Sequence, residues 1–147
     1  MFADGNHIDT YELGLSIRKE VLGEAHVERS MGNVSGFSKA AQDYTTELCW
    51  GAIWGREGLE RSERSLVNLG ILTALNRMHE FGVHVRGALR NGVSVQEIHE
   101  VLLQTAMYVG VPAALESFRV AERVIREELG DAAIDAFEPA GAKAAAE

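Results

Sequence analysis

Apolar residues recur at spacings of three and four along most of the chain, and the period-two alternation of half-buried strands is nearly absent. This periodicity is typical of amphipathic helices. The sequence therefore predicts an all-α protein, a compact bundle of about six helices. We expect a single domain over residues 1–147, because this length suffices for one hydrophobic core. Residues 138–147 are expected to form a frayed, alanine-rich tail.

Capping residues set the helix boundaries. Gly23 suits the end of the first helix, Ser94 and Glu97 form a capping box at the start of the fifth, and Pro112 suits the first turn of the sixth. The third helix is apolar nearly all round, so we expect it to be the most buried. The predicted helices cover approximately residues 9–22, 36–54, 62–75, 81–89, 94–108 and 112–130.

Charge and cysteine content narrow the possible partners. The net charge of −8 argues against nucleic acid, whose binding requires a basic face. The chain has no apolar run long enough to cross a membrane, and its first residues lack the regions of a signal peptide. Its single cysteine, Cys49, cannot form an internal disulfide. We therefore expect a cytoplasmic protein without nucleic-acid or membrane partners.

Three side chains with useful chemistry are spaced to share one helix face. Arg77, Glu80 and His84 follow one another at intervals of three and four residues. A carboxylate beside an imidazole raises the pKa of the histidine and fixes its tautomer, which suits a general acid or base. The same spacing is common in surface ladders of ion pairs, so both interpretations stay open on spacing alone.

Two tryptophans precede this stretch. Trp50 and Trp54 are four residues apart and are expected to stack on one helix face, either as core or interface packing or as an apolar wall for a small substrate. Arg64, in the first turn of the third predicted helix, is placed to hold a carboxylate together with the amides of that turn. Tyr108, at the end of the fifth helix, is a further candidate hydrogen-bond donor.

Two other chemistries fit the sequence poorly. His79 and His84 are five residues apart. On a helix their imidazoles therefore diverge by about 140°, unlike the pair at a spacing of four that can share a metal ion. Cys49 lies beside Trp50 in an apolar segment, where a lone cysteine is usually inert core. The sequence thus predicts neither a metal site nor a cysteine nucleophile.

Several stretches resemble the carboxymuconolactone decarboxylase family, and together they extend over almost the whole chain. They are Tyr11-Glu-Leu-Gly-Leu-Ser-Ile-Arg18, Val21-Leu-Gly-Glu-Ala-His-Val-Glu-Arg-Ser30, Trp50-Gly-Ala-Ile-Trp54, Arg64-Ser-Leu66, Asn76-Arg77, His84-Val-Arg86, Asn91-Gly-Val93 and Gly110-Val-Pro-Ala-Ala114. The second run is typical of the branch that acts on γ-carboxymuconolactone. A thiol-peroxidase branch carries Cys-x-x-Cys-x-x-x-His where this chain has Arg77, Glu80 and His84. The residues therefore exclude peroxide reduction by a dithiol.

The resemblance implies a helical bundle that assembles into rings, commonly trimers or hexamers, with sites near subunit contacts and tryptophans that lean toward the surface. It also implies a carboxy-lyase that needs no cofactor and no metal. Such an enzyme converts 4-carboxymuconolactone to the β-ketoadipate enol-lactone in the bacterial breakdown of protocatechuate and other aromatic acids. The substrate supplies its own electron sink, because its carboxylate is linked through a C=C bond to the lactone carbonyl.

On this interpretation the protein supplies an apolar wall, anion-binding groups and an acid. We expect His84, oriented by Glu80, to deliver the proton. The predicted substrate-binding residues are Arg64 and Arg77 for the anionic groups, Trp50 and Trp54 for the apolar wall, and Tyr108 as a hydrogen-bond donor.

Three positions depart from the pattern of many decarboxylases. Ala52 and His79 stand where an acidic residue is common, and Leu115 stands where a polar amide is expected. Ala52 and Leu115 favour a rival function, a lyase or isomerase of the same fold that acts on a different lactone or a β-keto acid. A second rival is a non-catalytic, ring-forming helical protein whose polar stripe only sets an interface.

Overall fold

A computed structural model of the protein describes residues 9–141. Within that range the chain is helical and contains no strand, which confirms the all-α prediction. The chain divides into two compact units, Met1–Leu59 and Glu60–Glu147. No helix among the described residues is both long and apolar enough to cross a membrane. Of the predicted tail, residues 142–147 lie outside the described range, and the Ala140 amide donates to Gln96 Oε1 at 3.1 Å.

The helices follow the predicted order, with two short additions. The first unit contains α1 (Thr10–Leu22), α2 (Glu24–Gly32), α3 (Lys39–Tyr44) and a π-helix (Thr45–Ile53). The second unit contains α4 (Arg61–Ala74), α5 (Met78–Arg90), α6 (Val95–Val109), α7 (Val111–Leu129) and α8 (Ala132–Asp135). The short helices α2 and α8 occupy stretches for which the sequence predicts no full helix, and the second predicted helix divides into α3 and the π-helix.

The predicted capping residues are confirmed. Gly23 ends α1 with φ 90°, and Pro112 lies in the first turn of α7. The structure adds an N-cap, Asp9, whose carboxylate accepts from the Tyr11 amide at 3.0 Å. At the start of α6, the Ser94 hydroxyl accepts from the Glu97 amide at 3.2 Å, and the Glu97 carboxylate accepts from the Ser94 amide at 2.7 Å. These bonds lower the pKa of Glu97, since they stabilise its charged form.

In the first unit, α1 and the π-helix touch backbone to backbone. A Cβ atom on Gly14 would lie 2.0 Å from the carbonyl oxygen of Thr46 and 2.7 Å from the amide nitrogen of Gly51. In the other direction, a Cβ atom on Gly51 would lie 2.1 Å from the carbonyl oxygen of Thr10. Since no other residue lacks a Cβ, glycine is required at both positions for the two helices to approach this closely.

The core of the second unit is built around α5. Phe81, Val85 and Ala88 of this helix are fully buried and join a cluster to which α4, α6 and α7 also contribute. Between α7 and α4, the buried Ser117 hydroxyl donates to Thr73 Oγ1 at 2.9 Å, so these two buried hydroxyl groups are paired.

The expectation that the third predicted helix is the most buried is wrong. This helix, α4, buries Ser65, Leu69 and Thr73, whereas Ile71 and Leu75 on its other face are exposed. Periodicity reports how apolar a helix is, but it does not report which of its faces the same chain covers. The predicted break between residues 75 and 81 is confirmed, because Asn76 adopts the left-handed conformation with φ 53° between α4 and α5.

The close approach of α1 and the π-helix gives a first prediction. Gly14→Ala should lower the free energy of unfolding by about 3 kcal/mol, since the new methyl group meets backbone atoms that cannot rotate away. Gly32→Ala is the matched control, because a Cβ atom there meets nothing within 4 Å. Urea unfolding followed by circular dichroism measures both. Equal stability of the two variants would contradict the close contact.

Candidate active site

The tryptophan pair lies at the end of the π-helix. Its ring centroids are 4.9 Å apart and the ring planes differ by 31°, which confirms the predicted stacking of Trp50 on Trp54. The exposed fractions are only 4% and 5%, so the expectation that these side chains lean toward the surface is wrong. The Trp54 amide donates to the Cys49 carbonyl at 3.0 Å, an i to i+5 bond of the π type. Such segments are frequent at functional sites.

Of the three residues that the spacing places on one helix face, Arg77, Glu80 and His84, only two lie within a helix. Arg77 is the exposed N-cap residue of α5, with φ −97° and ψ 69°, so it precedes the helix that carries Glu80 and His84. Glu80 is exposed in the first turn, where the helix dipole favours a carboxylate. His84 is half-buried and directly precedes the fully buried Val85, at the margin of the core.

No hydrogen bond or ion pair joins Arg77 or Glu80 to another side chain within residues 9–141. The described structure therefore lacks the surface ladder of ion pairs that the spacing also allowed. The orientation of the His84 imidazole by Glu80 stays a prediction.

The remaining predicted site residues occupy two other helices of the second unit. Arg64 is half-buried in the first turn of α4. Glu60 and Glu63 form a capping box there: the Glu60 side chain accepts from the Glu63 amide, and the Glu60 amide donates to Glu63 Oε2 at 2.8 Å. The expected help of this turn's other amides in binding a carboxylate stays a prediction. Tyr108, near the end of α6, is 84% exposed.

The structure adds a polar cluster that the sequence reasoning missed. Arg18 belongs to the buried face of α1 and is only 6% exposed. Its Nη1 donates to Thr46 Oγ1 at 3.1 Å, and its Nη2 lies 3.5 Å from Ser30 Oγ. A signal was available in the sequence, since Gly14, Arg18 and Leu22 follow one another at helical spacing on the buried face.

Cys49 lies beside this cluster. Contrary to the expectation of a core cysteine, it is exposed. The chain around it nevertheless removes enough water that burial raises the pKa of the thiol, while the Arg18 cation acts in the opposite direction. The net effect is a raised pKa of the Cys49 thiol, which is therefore poorly suited to act as a nucleophile at neutral pH.

Comparison with known proteins places these helices in one family. The carboxymuconolactone decarboxylase family matches residues 39–123, from the start of α3 into α7. A nitrosuccinic acid decarboxylase, npaB, of Metarhizium robertsii is 38% identical over 124 residues, which are 84% of this chain and 87% of that protein. The 4-carboxymuconolactone decarboxylase of Acinetobacter baylyi is 39% identical over 122 residues, which are 83% of this chain and 91% of the relative.

A third similar protein, a 15.0 kDa protein of Paracoccus denitrificans, is 33% identical over 84 residues, 56% of this chain and 63% of its own length. The two decarboxylases are therefore matched along most of their length.

The environment of Cys49 yields a second prediction. Because burial raises the pKa of the thiol above its ordinary value, the thiolate fraction at pH 8 is smaller than in an unstructured peptide. Alkylation by iodoacetamide should therefore be slower in the folded chain than in the chain unfolded by urea, and its pH midpoint should be higher. The reaction is specific, since the chain has one cysteine. Equal midpoints in both states would refute the assignment.

Proposed function

Since the chain belongs to the carboxymuconolactone decarboxylase family, we propose that it is a carboxy-lyase that converts 4-carboxymuconolactone to the β-ketoadipate enol-lactone without a cofactor. The observation that carries the proposal is the similarity to two decarboxylases over more than four fifths of the chain. We place the reaction in protocatechuate and related aromatic-acid catabolism, and we keep a cytoplasmic location, which the single cysteine favours.

The proposed reaction requires little from the protein except that it positions the substrate and the groups that bind and protonate it. When CO2 leaves, the electron pair of the broken C–C bond passes through the C=C bond to the lactone carbonyl oxygen, which gives a dienolate. Protonation of carbon then restores a neutral lactone ring. The chain must hold the carboxylates, stabilise the developing oxyanion and deliver one proton.

We assign the proton to His84, with Glu80 as its orienting carboxylate. His84 is half-buried, so it combines restricted access of water with an ionisable group whose ordinary pKa lies near neutrality. The other assignments follow the sequence: Arg64 and Arg77 for the anionic groups, Trp50 and Trp54 for apolar surroundings, and Tyr108 as a hydrogen-bond donor.

A second candidate substrate is a nitro-substituted dicarboxylic acid. The relative that acts on nitrosuccinic acid is as similar to this chain as the lactone decarboxylase is, at 38% against 39% identity. In nitrosuccinate the nitro group can accept the electron pair and become a nitronate, so the same proton donor and anion-binding groups suffice. Parallel assays on both compounds decide the substrate class, and the compound with the higher kcat/KM is the better candidate.

The proposal includes assembly into a ring of identical subunits, a trimer or a hexamer. Apolar side chains are exposed at four-residue intervals on α4 and on the neighbouring α6, and large exposed apolar areas usually mark interfaces. We call this set the apolar surface; it consists of Val67, Ile71, Leu75, Leu103 and Met107. Near the crossing of the two helices, a Cβ atom on Gly70 would lie 3.6 Å from Thr105 Oγ1. A second copy would cover this surface.

His84→Ala should lower kcat by at least about 100-fold, the range for loss of a general acid, with little change in the melting temperature. Loss of the lactone chromophore in the ultraviolet measures turnover. His79→Ala is the matched control, because His79 is exposed in the first turn of the same helix. Normal turnover of the His84 variant would remove this residue from the mechanism, whereas inactivity of the unaltered chain on both compounds would remove the proposed function itself.

Ile71→Asp combined with Met107→Asp should convert the oligomer to monomer, because each carboxylate would have to be buried without a partner, at several kcal/mol per charge. Light scattering coupled to gel filtration measures the mass. Arg123→Asp, an exposed change on α7, is the control and should leave the mass unaltered. A monomeric unaltered chain, or an oligomer that survives the double change, would rule out the apolar surface as the interface.

A further inference from the structure

Arg18 is a buried cation without an anionic partner among the described residues. The side chain is 6% exposed, although an arginine carries its charge at all ordinary pH values. Within residues 9–141, its hydrogen-bond partners are the neutral hydroxyls of Thr46 and Ser30. Its buried Nε–H has no acceptor there. Burying a charge in this way is unfavourable unless something compensates for it.

Other arginines of the chain show the usual arrangement. Arg86 is paired with the carboxylates of Glu127 and Glu128, and Arg126 is paired with Asp131 and Asp135. Those guanidinium groups are more exposed than Arg18 and therefore need an acidic partner less. The contrast identifies Arg18 as an exception that packing alone does not explain.

The electrostatic surroundings of Arg18 do not neutralise it either. Burial lowers the pKa of the guanidinium, and the groups that act in the opposite direction are Tyr11 and Cys49. Each of these is negative only after losing a proton, and the pKa of Cys49 is itself raised by burial. At neutral pH the cluster therefore keeps a positive charge.

The groups around Arg18 form a suitable set of donors for a carboxylate. A guanidinium presents N–H groups in a planar fork that matches the two oxygens of a carboxylate. The hydroxyls of Thr46 and Ser30 accept from Arg18, so their own hydrogens are available for an incoming anion. Thr46 is also one of the three residues that the π-helix buries, together with Trp50 and Gly51, which links this set to the tryptophan pair.

We propose that Arg18, with the hydroxyls of Thr46 and Ser30, forms an anion-binding subsite that holds a carboxylate of the substrate. The inference rests on the proposed function in one respect, namely that the carboxylate belongs to the molecule that is decarboxylated. The charge of Arg18 acts on the thiol of Cys49, which is exposed, so alkylation of Cys49 can report on an anion bound at the subsite.

The test compares Arg18→Met with Arg29→Met in the full-length chain. Both changes remove one positive charge, but Arg29 is exposed on α2 and makes no ion pair among the described residues. Without ligand, the Arg18 variant should be at least as stable as the unaltered chain, because an uncompensated buried charge has been removed. A purely structural arginine would instead lower the melting temperature when replaced.

Binding is measured with succinate, a non-reactive dicarboxylate, at matched ionic strength. Succinate should raise the melting temperature of the unaltered chain and of Arg29→Met by clearly more than that of Arg18→Met, which keeps Arg64 and Arg77 but lacks the subsite. It should also slow alkylation of Cys49 in the unaltered chain, because an anion on Arg18 offsets the charge that favours the thiolate. In turnover, Arg18→Met should raise KM by about 10- to 100-fold and alter kcat less.

An equal effect of succinate on both methionine variants, or an unchanged KM, would overturn the subsite. Dissociation of the oligomer by Arg18→Met alone would overturn it as well, because the anionic partner of Arg18 would then be a carboxylate of a neighbouring copy. Should Arg18→Met not fold, Arg18→Lys keeps the charge but loses the fork. That variant should show a raised KM and a weaker response to succinate. If the unaltered chain turns over neither substrate, the proposed function fails, while the succinate and alkylation measurements still decide the subsite.

Discussion

Backbone contact between α1 and the π-helix determines which side chains the first unit can bury. Glycines on both helices allow the contact. A Cβ atom on Gly14 would lie 2.0 Å from a carbonyl oxygen of the π-helix, and a Cβ atom on Gly51 would lie 2.1 Å from a carbonyl oxygen of α1. At this separation large side chains fit only beside the crossing point. Arg18 and Trp50 are both buried on the faces that meet there. The first unit thus buries a cation, Arg18, and the tryptophan pair on the two helices that touch.

In the second unit, the side chains of α5 differ in how deeply they are buried. α5 directs Phe81, Val85 and Ala88 into the core and leaves Glu80 exposed, with His84 between these extremes. A histidine at the margin of a core can exchange protons with solvent and yet face a less aqueous environment on one side. A rigid helix that is anchored by three fully buried side chains also suits the positioning that a proton donor requires.

Much of this fold follows from the sequence by direct physical reasoning. The spacing of apolar residues predicts the helices, and Asp9, Gly23 and Ser94 are recognisable caps because their side chains or backbone freedom satisfy the ends of helices. The π-helix was not predictable, because the apolar residues of 45–53 fit an α-helix equally well. The exposure of Ile71 and Leu75 was missed for a related reason, since the spacing of apolar residues does not tell which apolar faces the chain itself covers.

The residues of the candidate site could be proposed from the sequence, but the contacts among them could not. Spacing identified Trp50 and Trp54 as a stacked pair, and the structure has them stacked. Spacing also suggested contacts among Arg77, Glu80 and His84, but the helix begins only after Arg77, which changes where that side chain can point. Arg18 was overlooked because a charged residue within a helix is normally assigned to solvent, and only its burial reveals the exception.

We propose that this chain removes CO2 from a substrate that accepts the electron pair itself and is then protonated on carbon. The most direct measurement follows 4-carboxymuconolactone and nitrosuccinate with the purified full-length chain in D2O by NMR. We expect one CO2 released and one solvent deuteron incorporated for each molecule of the preferred substrate consumed. Recovery of both compounds unchanged, or consumption without release of CO2, would contradict it.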